Sequence, residues 1–209
     1  MSIVKLNNRG VRSATTFGSI TGLGSMVFIK KVTASGSATI SFVDGTSDVV
    51  LDNTYKEYLF TFKNIHPSAD SPKFQFQGNA AGGSGYNETI TSSMFYAYHK
   101  EDDGDTTLSY RTASDQAQGT AFQHLTPYGI GNGNDSNLSG YLHLFNPSST
   151  TFVKHFVGRV NNEYDSSAAY SVDAYAAGYF NTTSAIDEIQ FKCTAGDIDA
   201  GDICLYGIN

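Results

Sequence analysis

The sequence predicts an all-β protein: an antiparallel two-sheet β-sandwich of jelly-roll type with an extended N-terminal arm. Three observations predict it. Apolar side chains recur at every second position in many short runs. Clusters of Gly, Asn, Asp and Ser separate most of those runs. No stretch sustains a helical period, so the crossover helices that parallel strands need are missing from the pattern.

Residues 1–24 read as an arm rather than as core. Asn7, Asn8, Gly10, Ser13, Thr15, Thr16, Gly18, Gly22 and Gly24 interrupt every apolar pair there. Such a segment is ordered only when something holds it. Residues 25–209 form the second unit, the sandwich. Strand patterns begin with 25–33 and 38–43, where Ala38, Ile40 and Phe42 share a side before the Asp44-Gly45 turn. Tyr58, Phe60 and Phe62 share a face, and 73–77 alternates Phe74 and Phe76 with polar residues. A Gly/Ala/Ser loop over 79–85 leads to a long strand over 89–99, a short return over 108–110 and an Ala/Gln-rich segment, 113–124, that holds the one candidate helical turn. The loop 129–133 precedes a strand over 138–145, with Leu142 and Leu144 set against Tyr141, His143 and Phe145. Strands over 152–160, 170–180, 186–193 and 203–208 complete roughly ten or eleven.

The chain has 209 residues, 40% hydrophobic and only 16% charged, where about 25% is usual. That is too apolar for a disordered chain and long enough for a full core without disulfides or metals. No run approaches the ~18 apolar residues of a spanning helix. Thirteen Lys and Arg against twenty Asp and Glu give a net charge of −7. Residues 1–43 hold Lys5, Arg9, Arg12, Lys30 and Lys31 and no carboxylate, so a basic leader precedes an acidic body. The acidic bulk argues against nucleic acid as a partner. The start lacks the apolar stretch of a secretory signal, and the two thiols, Cys193 and Cys204, read as reduced cysteines of a cytoplasmically assembled protein, with a disulfide between neighbouring strands as the other reading.

No catalytic constellation emerges. The five Glu lie at strand ends and turns, and the five His make no H-x-x-x-H or H-x-H pair. His143 and His155 approach each other if their strands form a hairpin. No G-x-S-x-G elbow is present, and the glycine clusters at 78–85 and 129–133 lack the strand-to-helix order of a phosphate loop. Asp102, Asp103 and Asp105, and Asp197, Asp199 and Asp202, form oxygen-rich turns without the spacing of a calcium loop. The reading is no enzyme, no cofactor and no metal. The wealth of Phe (14) and Tyr (13) points to contact surfaces, with Tyr96, Tyr98, Tyr141, Tyr170, Tyr175 and Tyr179 in strands with polar partners.

The segment Gly24-Ser25-Met26-Val27-Phe28-Ile29-Lys30-Lys31-Val32-Thr33-Ala34-Ser35, with Ala38-Thr39-Ile40-Ser41-Phe42, carries a resemblance, as does the ending Ala177-Gly178-Tyr179-Phe180-Asn181, Ile186 to Phe191, 196–201 and Leu205-Tyr206-Gly207-Ile208. Together these resemble virion structural proteins of marine tailed phages, those infecting cyanobacteria among them, over residues 24–208. The leader Lys5-Leu6-Asn7-Asn8-Arg9-Gly10-Val11-Arg12 is similar to segments that precede this domain in such proteins. The resemblance implies a non-enzymatic β module on the virion, assembled in the bacterial cytoplasm, at a capsid, tail or fibre position. On that expectation the arm binds a neighbouring virion subunit: Lys5, Arg9 and Arg12 contact its acidic groups, and Leu6, Val11 and Phe17 anchor to apolar ones. A homo-trimer that covers strand edges is expected, with no nucleic acid and no membrane as partner. The alternative is a carbohydrate-binding receptor-recognition module of a phage fibre, using Tyr and Asn of loops 79–87, 128–137 and 161–170 on a host surface glycan. A polysaccharide depolymerase is the third reading.

Overall fold

A computed structural model describes residues 26–164 and 169–209. The arm expected over 1–24, with Lys5, Leu6, Arg9, Val11, Arg12 and Phe17, lies outside the described residues.

Among the described residues there are twelve strands and no helix: β1 (Met26–Thr33), β2 (Ile40–Val43), β3 (Glu57–Pro67), β4 (Phe74–Ala80), β5 (Ile90–Lys100), β6 (Thr106–Tyr110), β7 (Gln123–His124), β8 (Leu138–Phe145), β9 (Lys154–Tyr164), β10 (Tyr170–Phe180), β11 (Ile186–Cys193) and β12 (Ile198–Ile208). The helical turn expected in 113–124 is instead a run of turns ending in β7. Its Gln side chains bond backbone carbonyls: Gln116 Nε2 donates to Ala121 O, and Gln123 Nε2 to Ser114 O, both at 2.9 Å. Local side-chain bonding of this kind competes with helix formation.

The strands form two sheets, one of eight in the order β1-β12-β3-β8-β9-β10-β5-β6 and one of four in the order β2-β11-β4-β7. Every pairing is antiparallel. Four of the pairs are nested: β1 with β12, β2 with β11, β3 with β8 and β4 with β7. The hairpins β5–β6 and β9–β10 extend the larger sheet beyond that nest. The protein is thus an antiparallel two-sheet β-sandwich.

The period of two sets the core. Tyr58, Phe60 and Phe62 of β3 and Leu142 and Leu144 of β8 are buried, while Tyr141 between the strands' inward rows is exposed. Ile40 and Phe42 of β2 turn inward as the alternation predicts, but Ala38, one step before the strand, is exposed. Phe191 of β11 lies at the centre. Its ring meets Phe42, Phe60, Phe62, Phe74 and Phe76 at centroid distances of 6.2, 5.2, 5.3, 5.8 and 6.3 Å. These rings come from both sheets, so one side chain couples the two layers. Edge-to-face contacts dominate, the arrangement that ring quadrupoles favour.

All seven residues of β4 are buried. Its outward side is roofed by loops, to which Gln77 Nε2 donates at Glu88 O (3.0 Å), Thr120 O (3.2 Å) and Ala121 O (2.9 Å). Between β3 and β12 the register shifts where Asn64 (φ 52°) faces Gly201 (φ 111°). A Cβ at Gly201 would stand 2.5 Å from Asn64 O, so the close approach requires glycine.

Phe191→Ala is expected to destabilise the protein by about 3–5 kcal/mol, the range for a buried aromatic deleted from a packed core. Phe191→Leu should cost less. Chemical unfolding of the two variants checks this; equal midpoints for Phe191→Ala and the parent chain would contradict the central role of the ring.

Candidate functional site

Two surfaces concentrate chemistry. The first is the outer face of the eight-stranded sheet. Of the eight exposed large hydrophobic residues among those described, Met26, Phe28, Phe95, Leu108, Tyr110, Tyr141 and Val157 stand on this face and only Phe152 does not. Strand register aligns them. One row crosses the whole sheet as Lys31, Cys204, Thr61, Tyr141, Arg159, Tyr175, Phe95 and Tyr110.

The middle of that row is ordered by its own contacts. Phe95 stacks on Tyr175 at 4.7 Å with the rings 5° from parallel. The Arg159 guanidinium carbon lies 4.9 Å from the Tyr175 centroid, and Arg159 donates twice to Asp173, from Nε at 3.0 Å and from Nη2 at 2.7 Å. That bidentate pairing raises the Arg159 pKa above its ordinary value. Shallow depressions of about 460 and 420 Å³ flank the stack, one bounded by Tyr141, Arg159 and Asp173, the other by His155, Val157 and Tyr179.

The second surface lies at one end of the sandwich, on the inward side of the large sheet where the small sheet does not reach. β5, β9 and β10 bring Tyr98, Tyr164 and Tyr170 there, and the chain after β7 lays Tyr128 against them. The four half-buried rings enclose a cavity of about 260 Å³. Tyr128 stacks on Tyr164 at 5.1 Å, and Tyr98 meets Tyr170 edge-on at 5.1 Å. Hydroxyls fix the rings: Tyr96 and Tyr128 share a bond of 2.8 Å, and Tyr98 donates to Asp105 at 2.9 Å. Burial pushes the Tyr128 hydroxyl up to about 12, helped by its hydrogen bond with Tyr96.

Behind Tyr128 stands a group of basic side chains. The Arg111 guanidinium carbon lies 4.5 Å from the Tyr128 centroid. Lys73 Nζ donates to Ser114 Oγ at 3.4 Å, and His124 Nδ1 lies 3.4 Å from the same oxygen. Burial first, then the Arg111 charge, lowers the Lys73 pKa. Burial first, then Lys73 and Arg111, pulls His124 down to about 4, so the imidazole is neutral at pH 7.

The other chemical candidates are engaged in local structure. His66 Nδ1 meets Asp199 Oδ1 at 2.7 Å, its Nε2 is 3.1 Å from Gly133 O, and Ser136 donates its hydroxyl proton to Glu163 rather than to the histidine. β8 and β9 do form a hairpin, with His143 set opposite Val157; His143 Nε2 lies 3.0 Å from Glu57 and His155 packs on Tyr179 at 5.6 Å. The Asp turns are turned onto their own donors. Asp102 takes Lys100 Nζ at 2.6 Å and Gly104 N–H at 2.9 Å, and Asp202 takes Thr33 Oγ1 at 2.6 Å. Among the described residues no group of three or more His, Cys, Asp or Glu is placed to hold a metal ion. Cys193 and Cys204 are free thiols on different sheets.

The six arm residues named from the sequence lie outside the described residues. Of the segments suggested for sugar, 128–137 contributes Tyr128 and 161–170 contributes Tyr164 and Tyr170 to the tyrosine cavity. Tyr86 of 79–87 does not: it donates to Glu188 at 2.7 Å. Lys73, Arg111 and His124 were not anticipated, because fifty residues separate the first from the last and no motif links them.

Acid should weaken the fold through His124. Its native pKa of about 4 lies below the ordinary 6.5, so the unfolded chain takes the proton first. The stability this residue contributes is full above about pH 6.5, is lost as pH falls to about 4, and is constant below. The loss is of order 1–3 kcal/mol after allowance for partial exposure. His124→Gln should flatten that part of the stability–pH curve in urea titrations; an unchanged slope would contradict a neutral His124. Compared with protein-family models, with curated proteins and with solved structures, the chain matches none of them.

Proposed function

We propose that this protein is a structural component of a phage virion, a jelly-roll module exposed on the capsid or tail and attached through its N-terminal arm. The nesting of the pairs β1–β12, β2–β11, β3–β8 and β4–β7, with the hairpins β5–β6 and β9–β10 added to one sheet, supports the jelly-roll reading. Jelly rolls serve in viral capsids and in lectins, so the fold alone carries an analogy and the surface must carry the function.

The outer face of the eight-stranded sheet is the observation that carries the reading. A sheet face set with Met26, Phe28, Phe95, Tyr110, Tyr141 and Val157 is more apolar than solvent favours. From β8 across to β6 it sets the rings of Tyr141, Tyr175, Phe95 and Tyr110 around Arg159, the aromatic-and-Arg mixture enriched at interface cores, while Lys31, Lys63 and Glu57 lie nearer the β1 side. A neighbouring subunit of a homo-trimer covers this face and protects the edge strands β1 and β6. Lys5, Arg9 and Arg12 then pair with acidic groups of a neighbouring virion subunit, and Leu6, Val11 and Phe17 seat in its apolar surface. The role is non-enzymatic and the location is the virion.

A second reading is supported by the tyrosine cavity: receptor recognition, in which the module binds a host surface glycan. Four rings around one small cavity are the kind of rigid, amphipathic surface that sugars engage.

Two measurements test the assembly reading. Deleting residues 2–20 is expected to leave a folded body that no longer joins the particle; normal incorporation of the truncated chain would refute the arm. Light scattering of the full chain should report a trimer, and Phe95→Glu with Val157→Glu should yield monomers that melt within a few degrees of the parent. A parent chain that is monomeric at tens of micromolar overturns the subunit contact.

A further inference from the structure

We infer that the tyrosine cavity and the basic group behind it form one binding site, and that its ligand is an anionic saccharide. The inference rests on the second reading above and names the class of sugar.

Two properties of the basic group point to a missing anion. Lys73 and Arg111 are both half-buried and close enough to depress the Lys73 pKa, yet neither forms an ion pair among the described residues. Lys31, Lys100 and Arg159 are paired with Asp202, Asp102 and Asp173, and other unpaired lysines such as Lys56 and Lys63 are exposed to water, whereas Lys73 and Arg111 stand together and half-buried. The nearby carboxylate Asp115 is spent on Tyr110, whose hydroxyl donates to it at 2.6 Å. Gathering like charges without a counter-charge costs free energy in a folded chain, and this chain is acidic overall, with seven more carboxylates than bases. The second property is an unused donor. Arg111 Nε is buried and has no hydrogen-bond partner among the described residues. A buried donor left unpaired costs about 1–3 kcal/mol. An oxyanion held by Arg111, Lys73 and the neutral His124 satisfies both.

The tyrosines select what carries that oxyanion. Arg111 lies against Tyr128, and Tyr128 is also a wall of the cavity with Tyr98, Tyr164 and Tyr170. One aromatic ring therefore joins an anion site to a ring-lined cavity. At about 260 Å³ the cavity falls just under the ~300–1,000 Å³ usual for ligand pockets, a size that admits a single sugar unit. A pyranose ring presents polarised C–H bonds to the negative face of a tyrosine, and its hydroxyls reach the tyrosine hydroxyls. An inorganic anion has no use for such a cavity, and a neutral sugar has none for Lys73 and Arg111. A sugar bearing a carboxylate or phosphate group uses both.

Calorimetric titration of the full chain with defined oligosaccharides tests this. The panel holds neutral, uronate-bearing and phosphate-bearing versions of the same backbones, with inorganic phosphate as a separate probe. At least one acidic oligosaccharide should bind about tenfold or more tightly than its neutral counterpart. Arg111→Gln and Lys73→Gln should erase that preference while leaving the melting temperature near that of the parent. Tyr98→Ala should weaken acidic and neutral sugars alike, and Tyr98→Phe should retain most of the affinity. The uronate and phosphate arms show which oxyanion is preferred. Equal affinity for neutral and acidic versions, or full affinity in Arg111→Gln, overturns the anionic assignment and leaves the glycan reading standing. Inorganic phosphate binding as tightly as the phosphorylated sugar overturns the joint site. Silence across the panel overturns both.

Discussion

The constraint that shapes this protein is an inequality of area: eight strands in one layer against four in the other. A sheet face that sends Tyr58, Phe60, Leu142, Phe156 and Met94 inward must be covered along its whole width. The four-stranded sheet covers part of it through the cluster around Phe191. The chain between β6 and β8 covers the rest, with Leu125 and Ile130 buried and Tyr128 half-buried at the margin. That segment is a makeshift layer: irregular, held by Gln side chains, and ending in a cavity rather than a seal. The tyrosine site exists because the small sheet runs out before the large one does.

The same inequality explains the charge pattern. A two-layer sandwich this rich in aromatics needs few ionisable groups, and the Lys and Arg ion pairs that do form, Lys31–Asp202, Lys100–Asp102 and Arg159–Asp173, lie in reach of solvent, where each contributes little. Lys73 and Arg111 differ because they sit in the seam between the small sheet's edge strand β7 and the end of β6. Water reaches them partially and carboxylates do not reach them. Lys154 shows the alternative solution for a basic residue in such a place: it is fully covered, donates to Thr182 O at 3.1 Å and feels the charge of Glu88.

Much of the fold was legible because strand alternation is a local property. Residues 138–145 show it: Leu142 and Leu144 went inward and Tyr141 outward as their period required. The segment 113–124 shows the limit. Its Ala and Gln content suits a helix, but its glutamines are spent capping loops over β4, a tertiary demand that propensity does not record. The tyrosine site was half legible: Tyr128, Tyr164 and Tyr170 of its cavity fall within two of the three segments read as loops, since turn chemistry marks where strands end. Its basic half was not, because Lys73, Arg111 and His124 are brought together by the β4–β7 pairing and the turn at Ser114, neither of which leaves a spacing in the sequence.

The two surfaces do not compete, and the reason is the period of two. On β5, Phe95 faces out and Tyr96 and Tyr98 face in; on β10, Tyr175 faces out and Tyr170 in; on β9, Arg159 faces out and Tyr164 in. Three strands thus feed both an outer contact face and an inner cavity, with the sheet itself as the wall between them. A single-residue slip in any of these strands would exchange the two sets, turning that strand's cavity ring to the outer face and its outer side chain inward. The β9–β10 and β10–β5 registers, unbroken over eleven residue pairs each, hold that partition in place.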